Sequence, residues 1–515
     1  MSKIVSKQAF KLNIRPNLKM EGKKIALCHG VFDLVHPGHI THLQQAKAMS
    51  DVLVVSITAA KFVRKGPGRP YFNDEQRMSF LSALEFVDYV LLSDGYTVDD
   101  IVEVVEPDLY VKGVEYAKED DDLTGMMTKE RLLVEAHGGK VAYTGGDVFS
   151  STRLINTVMN ALPTDVVEFM QEFKLRHTMN EIRSYVDKAI DLKVLVLGDV
   201  IIDRYTYCTV QGLISKDMAY SARHNKTEDY LGGSVAIARH LASFSKNVTL
   251  MSIIGSEQDI NQSIQEQLSD KMKLKLYQSV DKDTIVKQRF LTRNKKREEY
   301  RKIFAINNIV LNKNYEQPLL DSFVHDLEND IENYDVIFLC DFGHGLIGKD
   351  IMHIVQKKAK YLVLNCQTNS TNKGQNIITK YYRADAFSLD QTELALAYPG
   401  IVMEEKESLK KLRNKIGGIG WLTRGSLGAY SVSNRNENND IIRECPAFTL
   451  NVKDTIGAGD AFYAVAGIVS AVGADTEVSM VLGNVAGALG ANIVGNKDAI
   501  EKVDVLKYTS TLMNV

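Results

Sequence analysis

The sequence predicts an α/β protein with two successive domains, because short runs rich in β-branched residues alternate with helix-forming segments twice along the chain. Such alternation is typical of parallel sheets covered by helices. The 515 residues exceed what one hydrophobic core normally holds. We therefore expect a first domain over residues 1–160, a polar helical connector over 161–190, and a second domain over 191–515.

The individual elements are predicted from runs of β-branched and aromatic residues, for strands, and from the helix-permissive segments between them. In the first domain, strands are predicted at Lys24–Val31, Asp51–Thr58, Val87–Leu92, Asp108–Lys112 and Lys140–Thr144, and helices at Gly38–Met49, Asn73–Glu85 and Thr128–His137. In the second, strands are predicted at Lys193–Ile202, Asn247–Ile254, Asp335–Cys340, Tyr361–Asn365, Ala386–Leu389, Gly420–Thr423 and Ala429–Ser433. The Ala/Gly/Val-rich segments Asp460–Val472 and Val478–Val494 predict two closely packed helices.

The composition is that of a globular protein and argues against several classes of partner. Hydrophobic residues make up 45% and charged residues 25%, with a net charge of -3, so neither nucleic acid nor a membrane is expected. The longest uncharged apolar stretch, Ala461–Ala474, is shorter than the roughly 18 residues of a spanning helix, and no secretory signal is recognisable. The five cysteines form no C-x-x-C pair, so we expect reduced thiols in a cytoplasmic protein.

The first chemical motif is the segment Cys28–His39, which reads as a strand, a turn and a helix start. Pro37 and Gly38 suit a helix entry, where free backbone N–H groups and the helix dipole favour phosphate. His36 and His39 are three residues apart, so both imidazoles can donate to phosphate oxygens as charge develops at an α-phosphorus. An H-x-x-H pair alone also fits a helix surface or a metal site, but no third ligand is evident here.

This segment resembles the HxGH nucleotidyltransferase superfamily, which implies a Rossmann-like domain. The motifs that follow in order, such as Gly68-Arg69-Pro70-Tyr71 and Val111-Lys112-Gly113-Val114-Glu115-Tyr116, make residues 23–158 similar to the adenylyltransferase part of the bifunctional ADP-heptose synthases. The resemblance implies catalytic roles for His36 and His39. It also implies nucleotide or phosphate binding by Gly30, Phe32, Lys61, Lys65, Arg69 and Arg77.

A serine/threonine segment, Phe149–Arg153, stands where the superfamily places hydroxyls at a helix start. Ser151 and Thr152 are therefore expected to bind phosphate oxygens, although a plain N-cap would use the same residue types. Arg153 follows where the heptose enzymes usually have Asn, and the Arg-Thr-x-Gly-Ile-Ser-Thr-Thr signature of glycerol-phosphate cytidylyltransferases is absent. The base of the second nucleoside triphosphate, adenine (ATP) or cytosine (CTP), is thus left open.

The second chemical motif, Asp454–Phe462, reads as a glycine-rich turn that enters a helix. Gly457, Ala458 and Gly459 allow backbone N–H groups to approach a transferring phosphoryl group. The carboxylate of Asp460 can take the proton of the attacking hydroxyl, a role typically worth about 10²–10⁴-fold in rate. The alternative interpretation of this motif is an ordinary capped turn with no catalytic function.

This motif resembles the PfkB/ribokinase family, and further family motifs occur in order between residues 192 and 500. The resemblance implies a ribokinase-like α/β domain with a small β lid and with Asp460 as the base. It implies sugar binding by Asp203, Gly232 and Gly233, and organisation of Mg²⁺ through water by Glu393. Residues expected to border ATP are Thr423, Gly425, Gly428 and Asn484.

Two departures and one basic run bear on this resemblance. Asp390 replaces the Asn of the family's N-x-x-E, and Asn365-Cys366-Gln367 lacks the D-P-K of the heptose kinases. Lys287, Arg289 and Arg293 lie in a basic run, which is either a solvated face or a grip on a phosphate already present on the sugar. We take Arg289 as a candidate sugar-phosphate ligand.

These motifs together predict a bifunctional enzyme whose kinase domain phosphorylates a sugar. The expected sugar is a heptose phosphate, and the expected position is its anomeric hydroxyl. The first domain would then transfer NMP, expected to be AMP, from a triphosphate and release pyrophosphate. The domain order is the reverse of the usual heptose enzymes. Two alternatives remain open: synthesis of a CDP-activated polyol or sugar, and one active transferase beside a non-catalytic kinase-like scaffold. A homodimer is expected by resemblance, since ribokinase-like domains often pair through lid strands.

Overall fold

The computed structural model describes residues 3–114, 126–145, 156, 162–214, 218–293, 300–309, 314–369, 372–401, 403–434, 440–449 and 452–515. The chain forms two compact units. Unit 1 contains residues 1–174 together with 506–515, and unit 2 contains residues 175–505. The placement of residues 506–515 in unit 1 was not indicated by any local sequence pattern.

Unit 1 is built on a parallel five-stranded sheet with the strand order β3-β2-β1-β4-β5. Its strands are β1 (Ile25–Gly30), β2 (Val52–Thr58), β3 (Tyr89–Ser93), β4 (Leu109–Gly113) and β5 (Lys140–Thr144). Its helices are Lys7–Ala9, Arg15–Met20, Pro37–Ala48, Asp74–Ser82, Asp99–Val105, Met126–Ala136 and Thr164–Arg176, with a π-helical turn at Phe10–Ile14 and a 3₁₀ turn at Ala60–Phe62.

The hydrophobic core of unit 1 lies on both faces of this sheet. Ile25 and Leu27 of β1 pack into one buried cluster, whereas Ala26 and Cys28 pack into the other. Neighbouring side chains of a strand point to opposite faces, so a strand covered on both sides is apolar throughout. The order reverses beside β1, which has β2 on one side and β4 on the other. Ligands of open parallel sheets bind beyond the carboxyl ends of the strands at such a point.

Unit 2 contains two sheets. The larger has nine strands in the order β10-β9-β6-β13-β14-β15-β16-β17-β18, and the smaller has the order β12-β11-β7-β8. Its strands are β6 (Lys193–Gly198), β7 (Val200–Leu213), β8 (Tyr220–Gly233), β9 (Asn247–Ile254), β10 (Lys273–Gln278), β11 (Ile285–Arg293), β12 (Tyr300–Asn308), β13 (Val336–Asp341), β14 (Leu362–Cys366), β15 (Ala386–Asp390), β16 (Ile419–Thr423), β17 (Ala429–Asn434) and β18 (Asp440–Cys445).

The nine-stranded sheet is parallel from β10 to β16, and β17 and β18 extend it antiparallel. The four-stranded sheet is the small β lid expected from the sequence. Helices cover the larger sheet at Met179–Lys188, Ser234–Ala242, Gln258–Leu268, Gln317–Asp330, Lys349–Lys358, Gln391–Ala397, Glu405–Ile416, Ala458–Ala471 and Thr476–Gly490. Short 3₁₀ turns occur at Ala189–Asp191, Ile331–Asn333, Ile378–Lys380 and Gly425–Leu427, and the helix Lys502–Met513 follows.

The predicted strand Lys193–Ile202 is wrong as a single element, because the chain changes sheets after Gly198. β6 belongs to the large sheet, whereas β7 begins at Val200 and belongs to the lid. At Gly198 a Cβ would lie 2.3 Å from the carbonyl oxygen of Cys340, so the strands approach too closely there for any side chain.

The two predicted late helices are confirmed and are packed closely. A Cβ at Gly483 would lie 2.9 Å from the Cβ of Ala466, so glycine is needed where the helices touch. All five cysteines are buried and free, as the sequence predicted. Within the described residues, no helix is both long and apolar enough to span a membrane.

Candidate active sites

The two histidines of the first motif are brought together at a helix entry. β1 ends at Gly30, and the helix Pro37–Ala48 begins after His36, which occupies its N-cap with Pro37 in the first position. The rings of His36 and His39 are stacked, with centroids 3.9 Å apart and planes inclined by 25°. Both imidazoles therefore lie beside the unpaired N–H groups that make a helix start attractive to anions.

Phe32 braces this histidine pair. Its backbone adopts a left-handed conformation with φ 47°, and its ring centroid lies 5.1 Å from that of His39. A Cβ at Gly30 would lie 3.2 Å from the ring of Phe32, so glycine leaves the ring room to sit there. Gly30 and Phe32, which were predicted to bind nucleotide, thus form part of the surface next to the imidazoles.

Burial lowers the pKa of each of the three histidines in this site. Burial lowers the pKa of His36, and it lowers the pKa of His39 to about 3 with further contributions from His36, His42 and Lys65. The pKa of His42 also falls to about 4, chiefly through burial, and its Nδ1 lies 2.5 Å from Oγ1 of Thr144. An approaching polyphosphate would reverse this balance, because an anion favours the charged imidazolium.

A buried carboxylate holds the loop that carries Arg69. Asp33 accepts hydrogen bonds from the backbone N–H groups of Tyr71 at 2.7 Å and Phe72 at 3.0 Å. Nη1 of Arg69 lies 3.4 Å from the same carboxylate. Oδ1 of Asn156 accepts from the other guanidinium nitrogen. Asp33 belongs to the first motif, in the segment Gly30-Val31-Phe32-Asp33, and its function as a loop anchor was not predicted.

The three other predicted cations differ in their exposure. Lys61 is exposed and lies 3.9 Å from Asp94. Burial, together with the neighbouring Arg69, lowers the pKa of Lys65 to about 8. Arg77 is fully buried and donates to the carbonyl oxygens of Val31 at 2.7 Å and Thr58 at 2.9 Å. This geometry favours a positioning function of Arg77 over the phosphate contact predicted from the sequence.

The expected hydroxyl contacts of Ser151 and Thr152 lie outside the described residues. Two residues that sequence reasoning missed enter this site instead. Asn156 is buried and contacts Arg69, and the buried ring of Tyr508 packs against Gly66. No local pattern could have found either contact, because each depends on tertiary folding.

In unit 2 the predicted base lies in the first turn of a helix behind a glycine turn. Gly457 caps the helix Ala458–Ala471 in a left-handed conformation with φ 83°, where a Cβ would lie 1.7 Å from Oδ1 of Asn496. Nε2 of Gln367 donates to Oδ1 of Asp460 at 2.8 Å. Burial raises the pKa of Asp460 to about 6, opposed by the Gln367 hydrogen bond and by Lys287.

The predicted sugar-binding residues meet at the junction of lid and body. The carboxylate of Asp203 is buried, and a Cβ at Gly232 would lie 2.3 Å from its Oδ2. Gly233, with φ 59°, starts the helix Ser234–Ala242. Nη1 of Arg289 contacts Oδ1 of Asp203 at 2.5 Å. Glycine at position 232 thus allows the backbone to approach the carboxylate of Asp203 closely.

A cavity of about 230 Å³ adjoins this junction. Its lining carries two cationic side chains and two amides, which are chemically suited to an anion. Burial lowers the pKa of Lys287, while the carboxylate of Asp203 acts in the opposite direction. The cavity is lined by Lys287, Arg289, Ala305, Asn307, Ile309 and Asn369.

Glu393 is fixed by a reciprocal helix cap with Asp390. The backbone N–H of Asp390 donates to Glu393 at 2.9 Å, and the N–H of Glu393 donates to Asp390 at 2.8 Å. The other oxygen of Glu393 accepts from the N–H of Thr368 at 3.0 Å. Burial and the adjacent Asp390 raise the pKa of Glu393 to about 8. Asp and Asn cap helices equally well, so the departure at position 390 preserves this local structure.

The loop predicted to border ATP is held by close backbone contacts. Gly425 and Gly428 have φ values of 56° and 87°, and a Cβ at Gly428 would lie 2.0 Å from the carbonyl oxygen of Cys445. Oγ1 of Thr423 donates to the carbonyl of Leu389 at 3.4 Å. Nδ2 of Asn484 donates to the carbonyl of Pro446 at 2.6 Å. These residues therefore converge on one end of the large sheet.

Comparison with known proteins agrees with this division. The cytidylyltransferase-like family profile matches residues 27–184, and the pfkB family carbohydrate kinase profile matches residues 191–502. The bifunctional protein HldE of Desulfatibacillum aliphaticivorans is 38% identical over 148 residues, which cover 28% of this chain and 29% of that protein. HldE of Geobacter metallireducens is 38% identical over 146 residues, 28% of each chain.

The chain thus matches less than a third of the length of these curated relatives. Among solved structures, ribokinase from Thermotoga maritima aligns with a TM-score of 0.48 and 16% identity, covering 62% of this chain and 99% of that one. The two family profiles and the two parallel-sheet units confirm the fold class predicted from the sequence.

Proposed function

We propose that this chain, which belongs to the pfkB family of carbohydrate kinases, makes a nucleotide-activated sugar in two steps. Unit 2 phosphorylates a sugar with ATP, and unit 1 transfers a nucleoside monophosphate to the new phosphate. The observation that carries the proposal is the pairing of two helix-entry sites, the stacked His36 and His39 in one unit and Asp460 in the other. The resemblance of residues 23–158 and of the kinase motifs to the heptose enzymes supports a heptose as the sugar.

In the kinase step, Asp460 accepts the proton of the sugar hydroxyl while its oxygen attacks the γ-phosphorus of ATP. With a pKa of about 6, the carboxylate is mostly ionised at neutral pH and is still basic enough to draw the proton. Asp203 binds sugar hydroxyls, and the cationic cavity beside Arg289 receives a phosphate already on the sugar. A heptose phosphate with a free anomeric hydroxyl fits these requirements.

Mg²⁺ is the expected partner of ATP in this unit, and the residues present fit it. Glu393 has a raised pKa, which a cation would lower. Oγ1 of Thr368 is buried without a hydrogen-bond partner among the described residues. We propose that Glu393, through water, and Thr368 would hold the ion, which would supply positive charge beside the phosphoryl group.

In the transferase step, an oxygen of the sugar phosphate attacks the α-phosphorus of a nucleoside triphosphate, and pyrophosphate leaves. His36 and His39 donate to the phosphate oxygens on which negative charge develops, while Lys61, Lys65 and Arg69 neutralise the leaving pyrophosphate. We place ATP first as the donor, in keeping with the HldE similarity. CTP is the second candidate, favoured by the cytidylyltransferase-like profile that unit 1 matches.

We further propose that the chain forms a homodimer through the lid sheet. Large apolar side chains are exposed on its strands, among them Tyr220 with 66% of its surface accessible, Phe304 with 53% and Ile306 with 45%. Exposed apolar surface of this kind typically marks an interface. Replacing Phe304 by Glu should shift the mass measured by light scattering to that of a monomer.

The proposal is tested by incubating the protein with ATP or CTP and a panel of sugars and sugar phosphates, and identifying products by mass. We expect a nucleotide-sugar from a heptose phosphate. Asp460→Asn should stop formation of the nucleotide-sugar from the heptose phosphate with a free anomeric hydroxyl, but not from the sugar 1-phosphate. His39→Asn should stop its formation from both substrates. A parent enzyme that converts the sugar 1-phosphate but not the heptose phosphate with a free anomeric hydroxyl would indicate a scaffold kinase domain.

A further inference from the structure

Residues 506–515 lie some 350 residues beyond the transferase sequence, yet they belong to its compact unit. The helix Lys502–Met513 ends there. Its final carbonyl groups have no partner within the helix and require donors from elsewhere. Nδ2 of Asn156 supplies them, donating to the carbonyl of Thr511 at 2.8 Å and to that of Asn514 at 3.1 Å.

The other polar atom of the same Asn156 side chain, Oδ1, contacts the loop that carries Arg69. This oxygen accepts a hydrogen bond from Arg69, whose opposite nitrogen faces Asp33. Asn156 is 1% exposed, so water does not readily replace either contact. The orientation of the Arg69 guanidinium is therefore set by Asp33 on one side and by Asn156 on the other, and Asn156 is itself held by the helix end.

A second contact acts on the same loop independently. The ring of Tyr508 covers Gly66, where a Cβ would lie 2.0 Å from Cδ2 of the ring. Gly66 has φ 95°, and its carbonyl accepts from the N–H of Arg69 at 3.3 Å. Lys174 anchors the segment further by donating to the main-chain oxygen of Val515. The loop is thus clamped at Gly66 by packing and at Arg69 by hydrogen bonding.

We infer that residues 506–515 are a positioning element of the transferase site, with Asn156 and Tyr508 holding Arg69 where it meets the pyrophosphate moiety. The inference rests on the proposed transferase function, which assigns Arg69 to phosphate. Its physical content is pre-organisation, because a guanidinium already held in place loses less conformational freedom on binding an anion. Asn156 acts through Arg69, so its effect must disappear when Arg69 is absent.

The test is a double-mutant cycle in the full chain, with Asn156→Ala, Arg69→Ala and the double variant. Binding of inorganic pyrophosphate is measured by calorimetry, and KM for the triphosphate is measured from nucleotide-sugar formation. The unit 1 signal is defined as the part of the binding heat that Arg69→Ala removes. Asn514→Ala is the matched control, since it removes an amide at the same helix end but keeps the carbonyl that Asn156 contacts.

We expect Asn156→Ala to weaken pyrophosphate binding roughly tenfold, the size of a lost hydrogen bond to a charged group. It should raise KM for the triphosphate more than it lowers kcat. In the Arg69→Ala background, where the unit 1 binding heat is absent by definition, it should raise KM no further. A parent-like affinity of Asn156→Ala for pyrophosphate, or increases in KM that add in the double variant, would overturn the inference. If the parent binds pyrophosphate in this Arg69-dependent way but makes no nucleotide-sugar, the proposed function fails and the positioning element stands.

Folding is checked by circular dichroism. If Asn156→Ala does not fold, Tyr508→Leu gives a second reading, because it keeps apolar volume but removes the ring from Gly66. That variant should also weaken pyrophosphate binding. An affinity equal to that of the parent would contradict the assignment.

Discussion

The hydrogen bond from Gln367 to Asp460 gives the sharpest prediction for the kinase. Nε2 of Gln367 lies 2.8 Å from the carboxylate, and this bond lowers the pKa of a group that burial raises to about 6. Asp203 also raises that pKa and Lys287 lowers it. Replacing Gln367 by Met keeps the side-chain length but removes the donor. The pKa of Asp460 should therefore rise.

The magnitude follows from the bond. A hydrogen bond to a charged group contributes about 1.5–3 kcal/mol, and one pKa unit corresponds to about 1.4 kcal/mol. Water can replace part of the lost bond, so we expect a rise of about one unit, from about 6 to roughly 7. With an ionised base required, kcat/KM should fall about threefold at pH 6.5 and roughly eightfold at pH 5.5, but remain almost unchanged at pH 8.5.

The assay is the initial rate of ADP formation with a sugar acceptor between pH 5 and 9, at saturating Mg²⁺. The cation keeps Glu393 ionised, so that its own raised pKa does not enter the profile. Gln262→Met is the matched control, because Gln262 is exposed on the helix Gln258–Leu268 and its amide donates to Glu266. An acid limb that stays at its original pH in an active Gln367→Met enzyme would refute the assignment of Asp460 as the base.

Three further predictions follow. Asp460→Asn should lower the phosphorylation rate about 10²–10⁴-fold. The pKa of Asp460 is about 6 in the folded protein and 3.8 in the unfolded chain, so the ionised carboxylate begins to destabilise the fold above about pH 4 and does so fully above pH 6. The free energy of unfolding at pH 7.5 should therefore be higher in this variant, as measured by the fluorescence of the buried Trp421. His39→Asn should lower pyrophosphate release roughly 10²-fold or more while ADP formation persists; equal losses in both steps would contradict separate sites. Arg289→Ala should raise KM for a phosphorylated sugar severalfold but change KM for the unphosphorylated sugar little. An unchanged KM for both sugars would contradict the binding of a sugar phosphate by Arg289.

The sequence predicted many strands of the two parallel sheets well, but none of the lid strands as such. The strand Asn247–Ile254 was predicted to its exact bounds, because all but its first residue are buried and apolar side chains dominate it. The lid strand Tyr220–Gly233 gave no such signal, since most of its residues are exposed and polar. Its pairing with Val200–Leu213 is set by tertiary contact instead. Local pattern therefore predicts the body of each unit better than the lid.

The site residues divide by the same physical rule. The histidine pair and the glycine turn before Asp460 are local, since a helix entry of a few residues brings their groups together. Gln367 and Asp460 are 93 residues apart, and Asn156 and Thr511 are 355 apart. Contacts at such separations leave no periodicity that a single sequence can show. Arg77 was assigned to nucleotide or phosphate from the family resemblance, whereas in the structure its guanidinium donates to backbone carbonyls.

Both departures, Asp390 from the N-x-x-E of the family and Gln367 from the D-P-K of the heptose kinases, affect the pKa of a neighbouring carboxylate. Asp390 retains the helix cap of an Asn but adds a negative charge, which raises the pKa of Glu393. Gln367, in the segment where the heptose kinases carry D-P-K, gives Asp460 an uncharged donor. A neutral donor stabilises a carboxylate less than an ammonium group would, so Asp460 keeps a pKa near 6 and accepts a proton more readily. We therefore expect Asp460 to act as a base although the D-P-K segment is missing, and the phosphorylation rate of Asp460→Asn tests this expectation.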